Sequence, residues 1–194
     1  IEDLKVGMDF REPRYRREVF LRFYDYHLKY DSHPGAVYFA MPWLAQKFDM
    51  TEEQKLWIAW IYGTTYYLPT TWVIWNEFPD MELVGIDRLK EWNNNNYKRL
   101  RYQTDTKWNK GHLPAQFESY KNWVGDRTQA EAFRPFLTGT PRENFDVLWE
   151  EVKTKFHKFG RYSTWFYLQT LKQCCDLPIE PGSRRLPSLR SGEG

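Results

Sequence analysis

Cysteine is nearly absent: two occur in 194 residues, Cys174 and Cys175, adjacent and therefore poor partners for each other. A disulfide framework is excluded, and a reducing compartment is expected. Histidine is also scarce, and His27, His33, His112 and His157 lack the spacing of a metal site. No P-loop, no dinucleotide glycine fingerprint and no Gly-x-Ser-x-Gly elbow occurs. Apolar runs are too short to span a bilayer and no signal peptide is visible, so a cytoplasmic location and no membrane partner are expected. Charge of one sign is missing too, since the net charge is only +2. Its distribution says more: residues 1–97 carry 11 Lys and Arg against 15 Asp and Glu, and residues 98–194 carry 17 against 11. A basic second half is a weak pointer to a phosphate-bearing partner.

What the chain has in excess is aromatic side chains, 19% of it, with 10 Trp, 13 Tyr and 13 Phe. Two readings stay open, a helical core packed with rings and a surface on which bases or ligands stack. The centre of the core is expected at Leu56, Trp57, Ile58, Ala59, Trp60 and Ile61, behind a capping box formed by Thr51 and Gln54. Gly63 is expected to end that helix. A second helix with Trp72, Val73, Ile74 and Trp75 is expected to begin near Thr70 or Thr71 and to stop before Pro79. The elbow between them, Gly63-Thr64-Thr65 to Pro69-Thr70-Thr71, is rich in hydroxyls, which can serve as caps or line an anion site.

Helical spacing also marks Phe20 to Leu28, a segment with Val37, Tyr38, Met41, Trp43 and Leu44 kinked at Pro42, and Ile86 to Trp92. Thr140-Pro141-Arg142-Glu143 combines N-cap, proline at the first position and a capping glutamate before Phe145, Leu148, Trp149 and Val152. The turn at Lys158 to Tyr162 joins it to a last helix with Trp165, Leu168 and Leu171. Helix, glycine-containing turn, helix is the outline of a DNA-backbone-binding hairpin or of a simple corner. The fold class read from this pattern is all-α, one helical domain over residues 16–176, with an irregular segment at 1–15 and a tail or unfinished region at 177–194. Opening on Ile1 rather than Met, the chain is expected to be a fragment whose site residues could extend beyond it.

Basic and aromatic residues interleave most densely after residue 97, where Lys98, Arg99, Arg101, Lys107 and Lys110 alternate with Tyr97, Tyr102 and Trp108 around one acid, Asp105. Cations for phosphates and rings for bases are what a nucleic-acid groove requires; a solvated amphipathic face is the alternative. His33 at a helix start and Asp105 inside the basic run are the candidate acid, base or orienting groups. Asn76 lies one turn past Trp72 and could face the elbow.

The run Arg17 to Tyr24, the His33-Pro34-Gly35-Ala36-Val37-Tyr38 turn, Gln54-Lys55-Leu56-Trp57 and the elbow through Trp72 together resemble the alpha-glutamyl/putrescinyl thymine pyrophosphorylases of clade 2, amino acid:DNA transferases of phages with hypermodified thymine. The resemblance runs from about Arg16 to Pro181 and departs from the family's Asn-rich elbow at Tyr66, Tyr67 and Leu68. It implies a helical domain similar to helix-hairpin-helix DNA glycosylases. Its substrate would be double-stranded DNA carrying a pyrophosphorylated 5-hydroxymethyluracil, whose pyrophosphate is replaced by the amine of a free amino acid or polyamine, in the host cytoplasm if phage-encoded. On this reading Tyr38, Trp72 or Tyr66 stacks the base. The Thr64, Thr65 and Thr71 hydroxyls with Arg161 or Arg101 take the pyrophosphate, Tyr162 joins the substrate contacts, and His33 or Asp105 is the base. No cofactor is evident, although a divalent metal could accompany pyrophosphate. A non-catalytic helical DNA-binding module, a glycosylase-like protein and a helical interaction protein without nucleic acid are the competing readings.

Overall fold

The computed structural model describes residues 12–30, 35–102 and 112–182, with only the backbone described at 14, 16, 19, 23, 26, 27 and 30. Among these residues there are α-helices, one π turn and one 3-10 turn, and no strand, so the chain is all-α as its periodicity predicts. Two compact units divide it, residues 1–35 and 36–194. The first holds α1 (Pro13–Tyr30), stapled by an Arg22–Glu18 ion pair of 2.8 Å one helical turn apart. Phe20 and Tyr24 stack on it with ring centroids 6.2 Å apart, and Phe20, Leu21, Tyr24 and Leu28 are exposed.

The second unit is built around α3 (Glu52–Thr65). Its start is a complete capping box: Gln54 N donates to Thr51 Oγ1 at 3.3 Å and Thr51 N donates to Gln54 Oε1 at 3.0 Å. Every residue from Leu56 to Thr65 is buried, as an apolar helix without a polar stripe requires. Trp57 and Trp60 stack at 5.0 Å, and Trp60 continues the stack onto Tyr120 of α6 (His112–Val124) at 5.1 Å. The Trp57 indole N–H donates to Phe78 O at 2.6 Å, which satisfies a donor the core would otherwise strand. Much of the aromatic excess is therefore core.

Three expectations are corrected here. Gly63 does not end α3; the helix runs on to Thr65 and closes with Tyr66 in the left-handed region, φ 51°. Gly63 serves a different need, since a Cβ there would stand 3.1 Å from Tyr167 of α9 (Arg161–Cys175), where α3 and α9 pack most closely. The next helix, α4 (Leu68–Glu77), begins ahead of Pro69 rather than after it, with proline in its first turn where a missing N–H costs nothing. The expected single helix through Pro42 is instead two elements: a π turn over Ala36–Ala40 is followed by α2 (Met41–Lys47), with Pro42 in the first turn.

Around α3 lie α5 (Ile86–Asn96), α6, α7 (Gln129–Phe133) with its 3-10 extension Arg134–Phe136, and α8 (Pro141–Lys155). Glu53 anchors α7, its carboxylate accepting from the backbone N–H groups of Gln129 and Ala130, both at 2.9 Å. Residues 177–180 stay with the core rather than trailing from it. Ile179 is buried, Asn144 Nδ2 donates to Pro178 O at 2.9 Å, and Glu180 N donates to Pro141 O at 2.8 Å. Among the described residues no helix is long and apolar enough to cross a membrane.

Candidate active site

The elbow threonines do not line an opening. Thr64, Thr65, Thr70 and Thr71 are all buried, and their hydroxyls have partners inside the fold. Thr64 Oγ1 donates to Ile61 O at 2.7 Å. The Thr65 and Thr71 hydroxyls are 2.7 Å apart, and each also reaches the backbone of Tyr67. Thr70 Oγ1 donates to Arg101 O and accepts from Arg101 N. These bonds brace the sharp chain reversal that holds Tyr66 in its left-handed conformation, and they pin the start of the basic segment to α4. Asn76 is exposed and its Nδ2 donates to Trp72 O at 2.9 Å, so it terminates α4 on the outside rather than facing the elbow.

A second cluster of polar and aromatic groups lies at the start of α9, beside the C-terminal end of α3. The chain leaves α8 at Lys155, turns through Lys158 at φ 61°, and enters α9 with Gly160 as N-cap. Glycine offers no side-chain acceptor, so no side chain caps the first turn of α9, which begins with Arg161 and Tyr162. Nothing lies within 4 Å of a Cβ built at Gly160, so the backbone there can be approached closely. Unsatisfied N–H groups at the positive end of a 15-residue helix favour an anion.

Tyrosines gather beside that helix start. The Tyr66 ring meets Tyr162 edge-on at 5.7 Å and Phe166 at 5.5 Å, while Tyr162 and Phe166 are 4.7 Å apart. The Tyr66 phenol lies near Ser163, whose own hydroxyl donates to Lys158 O at 3.3 Å. Tyr38, on the π turn, donates to Gln169 Oε1 at 3.4 Å, one more turn along the same face of α9. Burial, and the neighbouring Tyr162, push the Tyr62 phenol above its usual range, and burial pushes Tyr66 up further. The shift records how far both phenols are withdrawn from water.

Of the residues singled out from the sequence, Tyr38, Tyr66, Arg161 and Tyr162 lie on or beside the N-terminal half of α9. Trp72 is half-buried and stacks with Trp75 at 5.2 Å and Phe48 at 4.9 Å, on the α2 and α4 side. Lys98 and Arg99 are exposed on the turn after α5, and Arg101 is exposed where Thr70 holds its backbone. Burial pushes the adjacent Tyr102 phenol up to about 12. His33, Asp105, Lys107 and Lys110 lie outside the described residues. Sequence reasoning missed Tyr62, Ser163, Phe166 and Gln169. The signal available was the spacing of Tyr162, Phe166 and Gln169, one face of α9 opposite Leu168 and Leu171. Among the described residues no group of His, Cys, Asp or Glu is placed to hold a metal ion.

The start of α9 thus sets a helix N-terminus and Arg161 next to the rings of Tyr66, Tyr162 and Phe166, in an all-α chain. The amino acid:DNA transferase family model matches residues 20–191, and the chain belongs to that family. Among curated proteins, the serinyltransferase of Salmonella phage ViI is 34% identical over 122 residues. That alignment covers 61% of this chain and 29% of the phage protein, so the chain spans well under half the length of that relative. No solved structure matches the chain.

Proposed function

We propose that this chain joins the amine of an amino acid or polyamine to the 5-methylene of pyrophosphorylated 5-hydroxymethyluracil in DNA, releasing pyrophosphate. The observation that supports it best is the uncapped start of α9, opened by Arg161 and the exposed ring of Tyr162. Donors fixed where negative charge accumulates are the largest single source of catalysis in such transfers. As the amine nitrogen forms its bond to the methylene carbon, the carbon–oxygen bond breaks and its electron pair leaves on pyrophosphate. Arg161 and the free N–H groups of α9 receive that charge. A general base takes the proton released by the amine; His33 and Asp105, outside the described residues, are the candidates from the sequence. Tyr162, 55% exposed, and Tyr38 hold the extruded pyrimidine ring. Thr64, Thr65 and Thr71 contribute by bracing Tyr66. Lys98, Arg99 and Arg101, with Lys107 and Lys110, run along the DNA backbone.

The name of the phage ViI relative makes serine the first amine to try. Incubating the chain with DNA that carries the pyrophosphorylated base and a mixture of amino acids and polyamines, then analysing nucleosides by mass spectrometry, tests the reading. An amine adduct with stoichiometric pyrophosphate is expected. DNA binding that weakens with salt but yields no adduct would leave a binding module instead.

A further inference from the structure

Exposed rings are concentrated in a second place, away from the start of α9. Trp43, Lys47 and Phe48 at the C-terminal half of α2, with Leu68, Pro69 and Trp72 at the start of α4, line a groove of about 360 Å³. That volume falls within the roughly 300–1,000 Å³ usual for ligand sites. Met41 and Ala45 face the core from the other side of α2, which leaves Trp43 and Phe48 44% and 45% exposed. Lys47 is the charged residue of the lining, its Nζ 4.5 Å over the Trp43 ring. Beyond Pro69, the paired bonds between Thr70 and the Arg101 backbone fix exposed Arg101 to the same first turn of α4. Another cavity of the unit, about 240 Å³, has Glu53, Asp80 and Glu82 in its lining and would repel a polyanion. No acid lines the α2–α4 groove.

We infer that the groove between α2 and α4 is a stacking shelf for an unpaired nucleobase of the DNA strand, with Trp43 and Trp72 as the rings and Lys47 and Arg101 on the flanking phosphates. Rings on the floor and cations at the rim suit a single strand, because every base has a face to stack while every linkage carries a negative charge. The groove shares its supporting cluster with the α9 face: Leu44, Leu68, Trp72 and Phe166 pack on the same buried group of Val37, Met41, Ile58, Tyr62 and Cys174. A strand whose modified base is held at the start of α9 can thus rest a neighbouring base on the shelf. This rests on the proposed function for its partner, DNA, and not for the transfer chemistry.

The test is fluorescence anisotropy of labelled oligothymidylate with the 194-residue chain and the variants Trp43→Ala, Trp43→Phe and Lys47→Gln, each checked by circular dichroism. Loss of one stacking ring should weaken single-strand binding roughly 5- to 150-fold, with most of it kept in Trp43→Phe. Lys47→Gln should lower the salt dependence by about 0.7 of a logarithmic unit per decade. Folded Trp43→Ala and Lys47→Gln proteins that bind the oligomer as tightly as wild type would overturn the inference. So would a self-association that Trp43→Ala abolishes, seen by sedimentation, while oligomer affinity stays unchanged. Adduct analysis of the same samples separates the two claims. A wild-type adduct with unaltered Trp43→Ala binding removes the shelf and keeps the transferase, and no adduct with weakened Trp43→Ala binding does the reverse.

Discussion

The two helices of the hairpin are of equal length and begin in opposite ways. At α8 the polar groups are closed on themselves: Glu143 N donates to Thr140 Oγ1 at 3.3 Å, Thr140 N donates to Glu143 Oε2 at 2.8 Å, and Pro141 removes one orphan donor. At α9 the cap is glycine, no side chain closes the turn, and an arginine and an exposed tyrosine follow. A helix start that serves stability alone uses the residues α8 uses. The open start of α9 forgoes roughly a few tenths of a kcal/mol of capping and leaves its donors unused by the fold. The same contrast holds between the α3–α4 elbow, rich in hydroxyls yet internally satisfied, and the α8–α9 turn, poor in hydroxyls yet open.

The largest effect expected from this contrast is at Arg161. Arg161→Ala should lower the rate of amine transfer about 10²- to 10³-fold, the range found when one stabilising donor is removed, with the melting temperature little changed. Arg161→Lys should recover only part of it, because ammonium lacks the planar fork that fits phosphate oxygens. Steady-state release of pyrophosphate measures both. If Arg161→Ala retains full activity, the open start of α9 is not where the leaving group is held.

On the closed side, the expected losses are of stability. Gly63→Ala should destabilise the fold by about 1–3 kcal/mol in chemical denaturation, since the Tyr167 Cβ it would meet at 3.1 Å belongs to a helix that cannot give way easily. Thr65→Val leaves the Thr71 hydroxyl and the Tyr67 N–H short of a partner and should cost about 1–3 kcal/mol. Adding Thr71→Val should cost less than its single effect, because the pair is then removed together. Thr140→Ala should cost about 1 kcal/mol and leave transfer unchanged. The mirror experiment, Gly160→Asp, puts an acceptor and a negative charge at the open start. It should raise stability by a few tenths of a kcal/mol and lower transfer at least tenfold, and a variant both more stable and fully active would break the comparison.

Capping boxes and periodic apolar faces were readable because their cause is local. Thr51 with Gln54 and Thr140 with Glu143 fall where the pattern places them, and Leu56 to Ile61 are core as their lack of polar neighbours demands. Gly63 was misread because its reason is Tyr167, a residue far along the chain that takes the space of a side chain. The elbow threonines illustrate the limit for sites: composition shows that hydroxyls are present, not that Thr65 is bonded to Thr71 and Thr70 to Arg101. Tyr66 and Tyr162 could be singled out as isolated rings. That Ser163, Phe166 and Gln169 stand with them follows only once α9 is packed on α3, since polar residues in mid-helix otherwise read as a solvated face.

The smallest effect concerns acid pH and again divides the two helix starts. The Thr140 backbone N–H, and then its hydroxyl, hold the Glu143 carboxyl below its ordinary 4.5. Glu131 is held down in the same way by Thr128, with Arg134 and Arg127 assisting. A carboxyl whose pKa is depressed by folding contributes stability that is complete above the unfolded value and fades as pH falls through the folded one. Denaturation midpoints should therefore be level above about pH 5 in this respect and decline below pH 4.5. In Glu143→Gln, which keeps an acceptor for the box but cannot titrate, that decline should be shallower. Gly160 brings no carboxyl to α9, so Gly160→Ser should leave the acid limb of the curve as it is in the wild type, whereas Gly160→Asp should steepen it by adding a carboxylate that the helix start stabilises. An acid limb identical in wild type, Glu143→Gln and Gly160→Asp would show that neither helix start is coupled to protonation, and would remove charge from the distinction between them.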